Sequence, residues 1–260
     1  MRRIALYGKG GIGKSTVASN LTVSLSKKGY KVFQIGCDPK ADSTKLLLGG
    51  TAPMTILDAV RNGIPVDQAV IRGVNGCYCA ECGGPRPGTG CAGRGIIAAF
   101  EQLERSDLIN RISPDVLIYD VLGDVVCGGF AMPIRDGYAR DVFIISSGEM
   151  MSLYAANNIA TAISDMGRDG YASLRGIIQN SRGVDGEDGT VDRAASEMGT
   201  TVIGRIPRDN VVQRCESKGK TVAEAAPDSQ LSMIITDLAD AVIEHSCDVE
   251  GGMRGRKPPS

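Results

Sequence analysis

One nine-residue segment constrains this chain more than any other. Gly8-Lys9-Gly10-Gly11-Ile12-Gly13-Lys14-Ser15-Thr16 follows a short apolar run and leads into a stretch of helix formers. It fits the phosphate-loop pattern of Gly, four variable residues, Gly-Lys and then Ser or Thr, in the strand-before, helix-after setting that the pattern requires. Glycines let backbone N–H groups turn inward around phosphate oxygens, and the start of the following helix adds partial positive charge. Lys14 is then placed to reach the β- and γ-phosphates of ATP, and the Ser15 hydroxyl to ligate Mg²⁺.

Such a loop belongs in an α/β fold, and the rest of the chain agrees. Residues 4–7, 31–35, 116–119, 142–146, 174–179 and 201–206 read as buried strands. Residues 15–28, 96–105, 150–166, 191–198 and 229–244 carry helical spacing between or after them. The alternation predicts a P-loop NTPase fold, a mainly parallel sheet flanked by helices and joined by right-handed crossovers. A Gly/Pro-rich stretch, residues 73–90, interrupts the pattern. Neither a repeat nor a linker divides the chain, so residues 1–250 read as one domain and 251–260 as a flexible tail.

Acids fall where a nucleotide switch needs them. Val116-Leu117-Ile118-Tyr119-Asp120 is an apolar strand ending in a carboxylate, so Asp120 is expected to help hold Mg²⁺. Asp38 and Asp42 follow the second strand in Gly36-Cys37-Asp38-Pro39-Lys40-Ala41-Asp42-Ser43-Thr44. Loops that leave parallel strands gather at one carboxyl-end crevice, so these acids should converge on the phosphates, one of them orienting the attacking water. Taken alone, Asp42 equally suits a helix N-cap.

Bulk properties narrow the partners. The formal net charge of −1 argues against nucleic acid as a partner. The N-terminus has only a four-residue apolar run, which is not a signal peptide, and no stretch approaches the roughly 18 apolar residues of a membrane span. The expected location is cytoplasmic. There, the eight cysteines read as ligands, reactive thiols or small core residues rather than disulfides. Cys91 and Cys127 stand in glycine-rich settings, Gly88–Gly95 and Val125–Pro133, without a C-x-x-C pair. An iron–sulfur cluster takes four thiolates, so two ligands per chain would suffice only if two chains share it. By themselves the two segments fit buried structural cysteines equally well.

Long blocks settle the comparison. Gly8–Thr16, Gly36–Thr44, Gly83-Gly84-Pro85, Gly90-Cys91-Ala92-Gly93-Arg94-Gly95, Tyr119–Arg135, Ser147–Met151, Tyr154–Asn158 and Pro207-Arg208-Asp209-Asn210 together resemble the nitrogenase iron protein family, from the first strand to about residue 227. The resemblance implies a homodimer with one [4Fe–4S] cluster bridging the subunits on Cys91 and Cys127 of each. It implies MgATP as the second cofactor, and a catalytic role for Lys9, Asp38 and Asp124. Lys9, the additional lysine of the loop, resembles that of the deviant Walker ATPases, in which it reaches the nucleotide of the partner subunit. Asn180, Pro207, Asp209, Gln213 and Glu216 match the family's adenine-contacting positions. Arg94 matches a residue of the docking face that some members modify by ADP-ribosylation. The partners implied are a nitrogenase or nitrogenase-like catalytic component and a ferredoxin or flavodoxin as upstream donor.

The seven-residue separation of Asp120 from Cys127 spans at most roughly 25 Å when extended, so nucleotide state and redox site should be mechanically linked. Two features depart from the family pattern. Cys77-Tyr78-Cys79-Ala80-Glu81-Cys82 adds Cys77 and Cys82 to a single family cysteine that Cys79 matches, which suggests small residues or redox-sensitive thiols in a surface loop or, with Cys91, an intrachain metal set. The chain beyond residue 244 is also shorter than the family's usual tail, leaving the acceptor open between dinitrogenase and enzymes that reduce tetrapyrrole rings, including the nickel tetrapyrrole of methanogens. A deviant Walker ATPase without redox chemistry is the alternative of another class, against which Cys91 and Cys127 speak.

Overall fold

The computed structural model describes residues 1–84, 92–123, 132–167 and 172–249. Its frame is a single sheet of eight strands: β1 (Arg2–Tyr7), β2 (Val32–Cys37), β3 (Ile71–Arg72), β4 (Tyr78–Glu81), β5 (Val116–Val121), β6 (Asp141–Ser146), β7 (Ser173–Asn180) and β8 (Val202–Ile206). They lie in the order β3-β4-β2-β5-β1-β6-β7-β8. Among the described residues only the short edge strand β3 runs antiparallel, against β4, and the other pairings are parallel. The expected mainly parallel sheet is therefore observed. All six strands read from the sequence are present, with ends shifted by one or two residues.

Successive residues of a strand point to opposite faces, and β1 shows it plainly. Ile4 and Leu6 pack with Val17, Leu21 and Leu25 of α1 (Lys14–Lys27) and with Leu231, Ile235 and Leu238 of the C-terminal helix Gln230–His245. Ala5 and Tyr7 join the opposite layer. There the sheet meets α2 (Ile56–Arg61), α3 (Ala92–Arg105), α4 (Leu108–Ile112), α5 (Met132–Arg135) and α6 (Met150–Gly167). The remaining helices are α7 (Glu187–Glu197), α8 (Val211–Glu216), α9 (Val222–Ala225) and α10 (Gln230–His245). Burial on both faces is why β1, β5 and β6 read as largely continuous apolar runs rather than alternating ones.

α1 ends where its sequence says it must. Gly29 takes φ +95°, the Gly29 N–H donates to the Ser26 carbonyl, and the Tyr30 N–H donates back to Leu25, which together close a Schellman cap. The Gly/Pro-rich interruption at 73–90 proves to contain β4, which pairs with β2 over Phe33–Gly36. A four-residue strand, Tyr-Cys-Ala-Glu, has too little apolar length to stand out by periodicity. Short helices such as α2, α8 and α9 were missed for the same reason.

The aromatic centre of the α3–α6 layer is Phe100, whose ring stacks on Tyr119 at 5.3 Å and meets the Tyr138 ring edge-on at 4.7 Å. All three are fully buried. Phe100→Ala should lower the unfolding free energy by about 3–5 kcal/mol, through lost burial and the cavity left behind. In denaturant titration, Met233→Ala at an exposed position should change it by no more than ~0.5 kcal/mol.

Candidate functional site

The phosphate loop leaves β1 at the carboxyl edge of the sheet and enters α1 at Lys14. A side chain at Gly8 would collide with the Ile145 carbonyl of β6. Gly11 and Gly13 take φ +78° and +95°, the left-handed region that other residues adopt only at a cost. Lys9, Gly10 and Gly11 are exposed, Ile12 is buried, and Ser15 and Thr16 are half-buried at the start of the helix.

Lys14 and Asp120 form a buried ion pair. The pair joins the phosphate loop to the end of β5, bringing the two sequence-predicted groups into contact. Asp38 opens the loop after β2, where its carboxylate accepts from the Lys40 N–H at 2.9 Å. Ala41 stands in the left-handed region at φ +52° although it is almost wholly buried. Asp42 is exposed and caps no described helix; the following 3₁₀ turn, residues 45–48, starts from Thr44. Its N-cap alternative is thereby removed.

A buried polar network, invisible in the sequence, holds this acidic loop. The Glu81 carboxylate accepts from both the backbone N–H and the hydroxyl of Thr44, each at 2.7 Å. Gln34 donates to the Ser43 carbonyl and hydroxyl, and Ser19 of α1 donates to the same carbonyl. Thr22 of α1 donates to Gln34. Glu81 reaches the loop by lying over Gly36, where any Cβ would overlap its second oxygen. That oxygen is buried and has no hydrogen-bond partner. Burial pushes the Glu81 carboxyl up to about 8, the Thr44 hydrogen bonds oppose the shift, and the charges of Asp120 and Asp42 add to it. The charges of Asp42 and Asp120 thus both reach Glu81.

On the other side of the loop lies a cavity of about 200 Å³. Asn180, Pro207, Asp209, Gln213 and Glu216 all line it, so every residue matched to the adenine positions falls in one place. Asn180 donates to the Ile12 carbonyl at 2.6 Å and fills the space where Gly13 lacks a Cβ. Glu216 accepts from the Thr16 hydroxyl at 2.6 Å. Two contributors were not expected. Arg182 donates to the Gly11 carbonyl at 2.6 Å. Glu187 accepts from the backbone N–H groups of Gly148, Arg182, Gly183 and Val184, tying the loop after β6 to the loop after β7. Burial works against the Glu187 charge, but these donors prevail and hold its pKa below the ordinary value. Its signal, a glutamate opening a helix, is too common to be read alone.

Cys91, Asp124 and Cys127 lie outside the described residues. Their flanks are described: Cys91 precedes α3, Cys127 stands between β5 and α5, and both approaches leave the carboxyl edge of the sheet. Arg94 is exposed on the first turn of α3. Gly123 sits against the phosphate loop, where a Cβ would overlap the Gly8 carbonyl and stand 3.1 Å from the Lys9 Cα. The segment leading from Asp120 toward Cys127 therefore touches the loop directly.

The extra cysteines differ from expectation. Cys77, Cys79 and Cys82 are buried rather than in a surface loop. Cys77 and Cys79 pack with Val23 of α1, whereas Cys82 belongs to the opposite layer with Cys37. One metal cannot gather Cys77, Cys79 and Cys82 through the sheet, and no group of three or more metal-ligating side chains occurs among the described residues. No described helix is long and apolar enough to cross a membrane.

A phosphate loop at the carboxyl edge of a parallel sheet, with a buried Lys–Asp pair and a base-sized cavity, defines a P-loop nucleotide-binding protein. Residues 2–251 match the model of the NifH/frxC family of 4Fe-4S iron sulfur cluster binding proteins. The nitrogenase iron protein of Methanospirillum hungatei JF-1 is 49% identical over 252 residues, 95% of this chain and 89% of that protein. Nitrogenase iron protein 2 of Rhodobacter capsulatus is 47% identical over 94% of this chain and 90% of that protein. Among solved structures, the cell division ATPase MinD of Pyrococcus furiosus superposes with a TM-score of 0.74 at 19% identity, covering 94% of this chain and 99% of that one, a likeness of fold. The chain belongs to the NifH/frxC family and is a 4Fe–4S cluster-binding protein.

The raised Glu81 value has a measurable sign. The folded chain keeps a proton that the unfolded chain releases near pH 4.5, so this group's favourable contribution is full below about 4.5 and is lost as pH rises through about 8. The slope is at most ~1.4 kcal/mol per pH unit for one proton. Glu81→Gln keeps an acceptor for Thr44 and cannot titrate. Between pH 6 and 8 the wild type should lose stability relative to this variant; parallel pH profiles in denaturant titrations would contradict the assignment.

Proposed function

We propose that this chain is the ATP-dependent reductase component of a nitrogenase-type system. It passes electrons from a [4Fe–4S] cluster shared between two identical subunits to a separate nitrogenase or nitrogenase-like catalytic protein. The observation that carries this reading is the seat of Gly123 on Gly8 and Lys9, three residues beyond the Asp120 that pairs with Lys14. Whatever moves the phosphate loop or Asp120 presses on the chain that leads to Cys127.

The donor set fits the cluster: two thiolates per chain, Cys91 and Cys127, make four in a dimer. When bound, the cluster supplies a low-potential one-electron donor. The chain's own part begins when phosphate oxygens draw Lys14 from Asp120, freeing that carboxylate for Mg²⁺ beside the Ser15 hydroxyl. Glu81 holds Thr44 and with it the loop carrying Asp38 and Asp42. Asp38 and Asp124 take the role of orienting the attacking water. Exposed Lys9 is free to reach the partner subunit's nucleotide, while Asn180, Pro207, Asp209, Gln213 and Glu216 enclose the adenine. Met150, Met151 and Tyr154, exposed on the first turns of α6, suit burial against a second subunit. Arg94 belongs to the surface offered to the acceptor, and a ferredoxin or flavodoxin is the donor class that would refill the cluster. The relatives named nitrogenase iron protein favour dinitrogenase as the acceptor over a tetrapyrrole-reducing enzyme.

Anaerobically purified dimer should carry about four irons, and Cys127→Ser should abolish them. MgATP should accelerate removal of that iron by a chelator in the wild type. Gly123→Ala, which wedges a methyl group against Gly8, should bind MgATP yet lose most of the acceleration. A full iron count in Cys127→Ser, or undiminished acceleration in Gly123→Ala, would sink the proposal.

A further inference from the structure

Two cysteines that the proposed reductase chemistry does not use form a site of their own. The Sγ atoms of Cys77 and Cys79 lie 3.8 Å apart. They are buried together, 1% and 0% exposed, under Leu47, Val23 and Ala223. Cys79 lies on β4 and Cys77 is the extended residue just before that strand, at φ −61° and ψ 157°. Positions i and i+2 of a strand project to the same face with Cα atoms about 6.6 Å apart, within the span a disulfide bridges. The sulfurs must close from 3.8 Å to about 2.05 Å to bond. Gly73 leaves room for both, since a Cβ there would stand 2.9 Å from one sulfur and 3.0 Å from the other.

We propose that Cys77 and Cys79 are a dithiol oxidation site that reacts with hydrogen peroxide or a comparably small hydroperoxide and closes to an intrachain disulfide. Three observations define the reagent and the order of events. A cavity of about 560 Å³, lined by Leu47, Leu48, Arg72, Gly73 and Val74, approaches the pair from the edge of the sheet. Gly73 and Leu47 line this cavity and also touch the pair, and both sulfurs are buried behind them, so small reagents are favoured over bulky disulfides.

The two thiols are also unlike. Cys77 is held below the ordinary thiol value, first by its hydrogen bond with the Cys79 thiol, then by backbone N–H groups and the Arg72 charge, against the effect of burial. Cys79 is pushed up, by that same hydrogen bond and by burial. Cys77 closes the turn whose Gly73 and Val74 line the cavity, whereas Cys79 is held between β3 and β2 opposite Ile71 and Gln34, so Cys77 is the thiol placed to meet the reagent first and Cys79 the resolving thiol.

The chemistry balances in two steps. The Cys77 thiolate attacks one peroxide oxygen and the O–O bond breaks, giving a sulfenic acid and hydroxide. The Cys79 thiol then attacks Cys77 Sγ and loses its proton; the S–O bond breaks, the S–S bond forms, and the second oxygen leaves as water. Both thiols are oxidised by one electron each, and the peroxide is reduced to two waters.

The experiment uses the cluster-loaded dimer under anaerobic conditions. One equivalent of hydrogen peroxide is added, free thiols are alkylated, and peptides are mapped by mass spectrometry. The expected result is a 2 Da loss linking Cys77 to Cys79, reversed by a dithiol reductant. Cys79→Ser should instead accumulate a Cys77 sulfenic acid that dimedone traps, and Cys77→Ser should form neither product. Cluster absorbance, followed in parallel, should remain while the link forms. The proposal is overturned if Cys77 and Cys79 stay alkylatable, if Cys37 or Cys82 oxidises first, or if dimedone labels Cys79 in preference to Cys77.

Discussion

The buried pair of Lys14 and Asp120 is the interaction on which the rest of the molecule turns. It fastens the phosphate loop to the end of a central strand, and on the proposed reading each member is also a group that a magnesium nucleotide would take. A phosphate that takes Lys14 away leaves a carboxylate buried without its counter-charge, a loss of order 3–5 kcal/mol when uncompensated. A cation arriving with the phosphate removes that penalty. The pair therefore explains physically why this loop should respond to the metal-bound nucleotide rather than to the nucleotide alone.

Around that pair, small residues do work that side chains could not. Gly36 lets Glu81 cross the sheet surface to hold Thr44, and Gly123 lets the chain after β5 rest on Gly8 and Lys9. The Gly123 contact is backbone against backbone, with no flexible side chain between to absorb a displacement, while at Gly36 the neighbour is the Glu81 carboxyl group itself. Packed interiors transmit rather than damp such shifts. On the proposed reading, nucleotide state would reach two loops at once, residues 38–44 through Asp120 and its acidic neighbours, and residues 120–123 through the phosphate loop itself.

Much of this was legible in the sequence, and the exceptions have reasons. The phosphate loop, Asp120, and the strands buried on both faces announce themselves because several neighbouring residues carry one message. The adenine positions could be carried over from resemblance, and the cavity gathers them. Glu81 could not be found: a lone acid between two cysteines reads as solvated, and only the pairing of β4 with β2 puts it beneath Thr44. Glu187 was hidden likewise, because its partners are backbone amides far off in the chain. The C-x-C-x-x-C run suggested one site, but a residue on β4 and one just past its end face opposite layers, so Cys82 parts from Cys77 and Cys79. Cys91 and Cys127 rest on the resemblance and the family match, with the structure describing only their approaches.

Ala41 has a consequence for how the acidic loop switches. A buried, non-glycine residue at φ +52° is held there by its surroundings, at an energy of order 1–2 kcal/mol above an ordinary conformation. With Thr44 clamped by Glu81, the loop carrying Asp38 and Asp42 resembles a cocked catch, anchored at one end and tensioned in the middle. Ligand contacts at its acids would act on a segment already held away from its relaxed backbone conformation, so a shift there would relieve strain rather than add it.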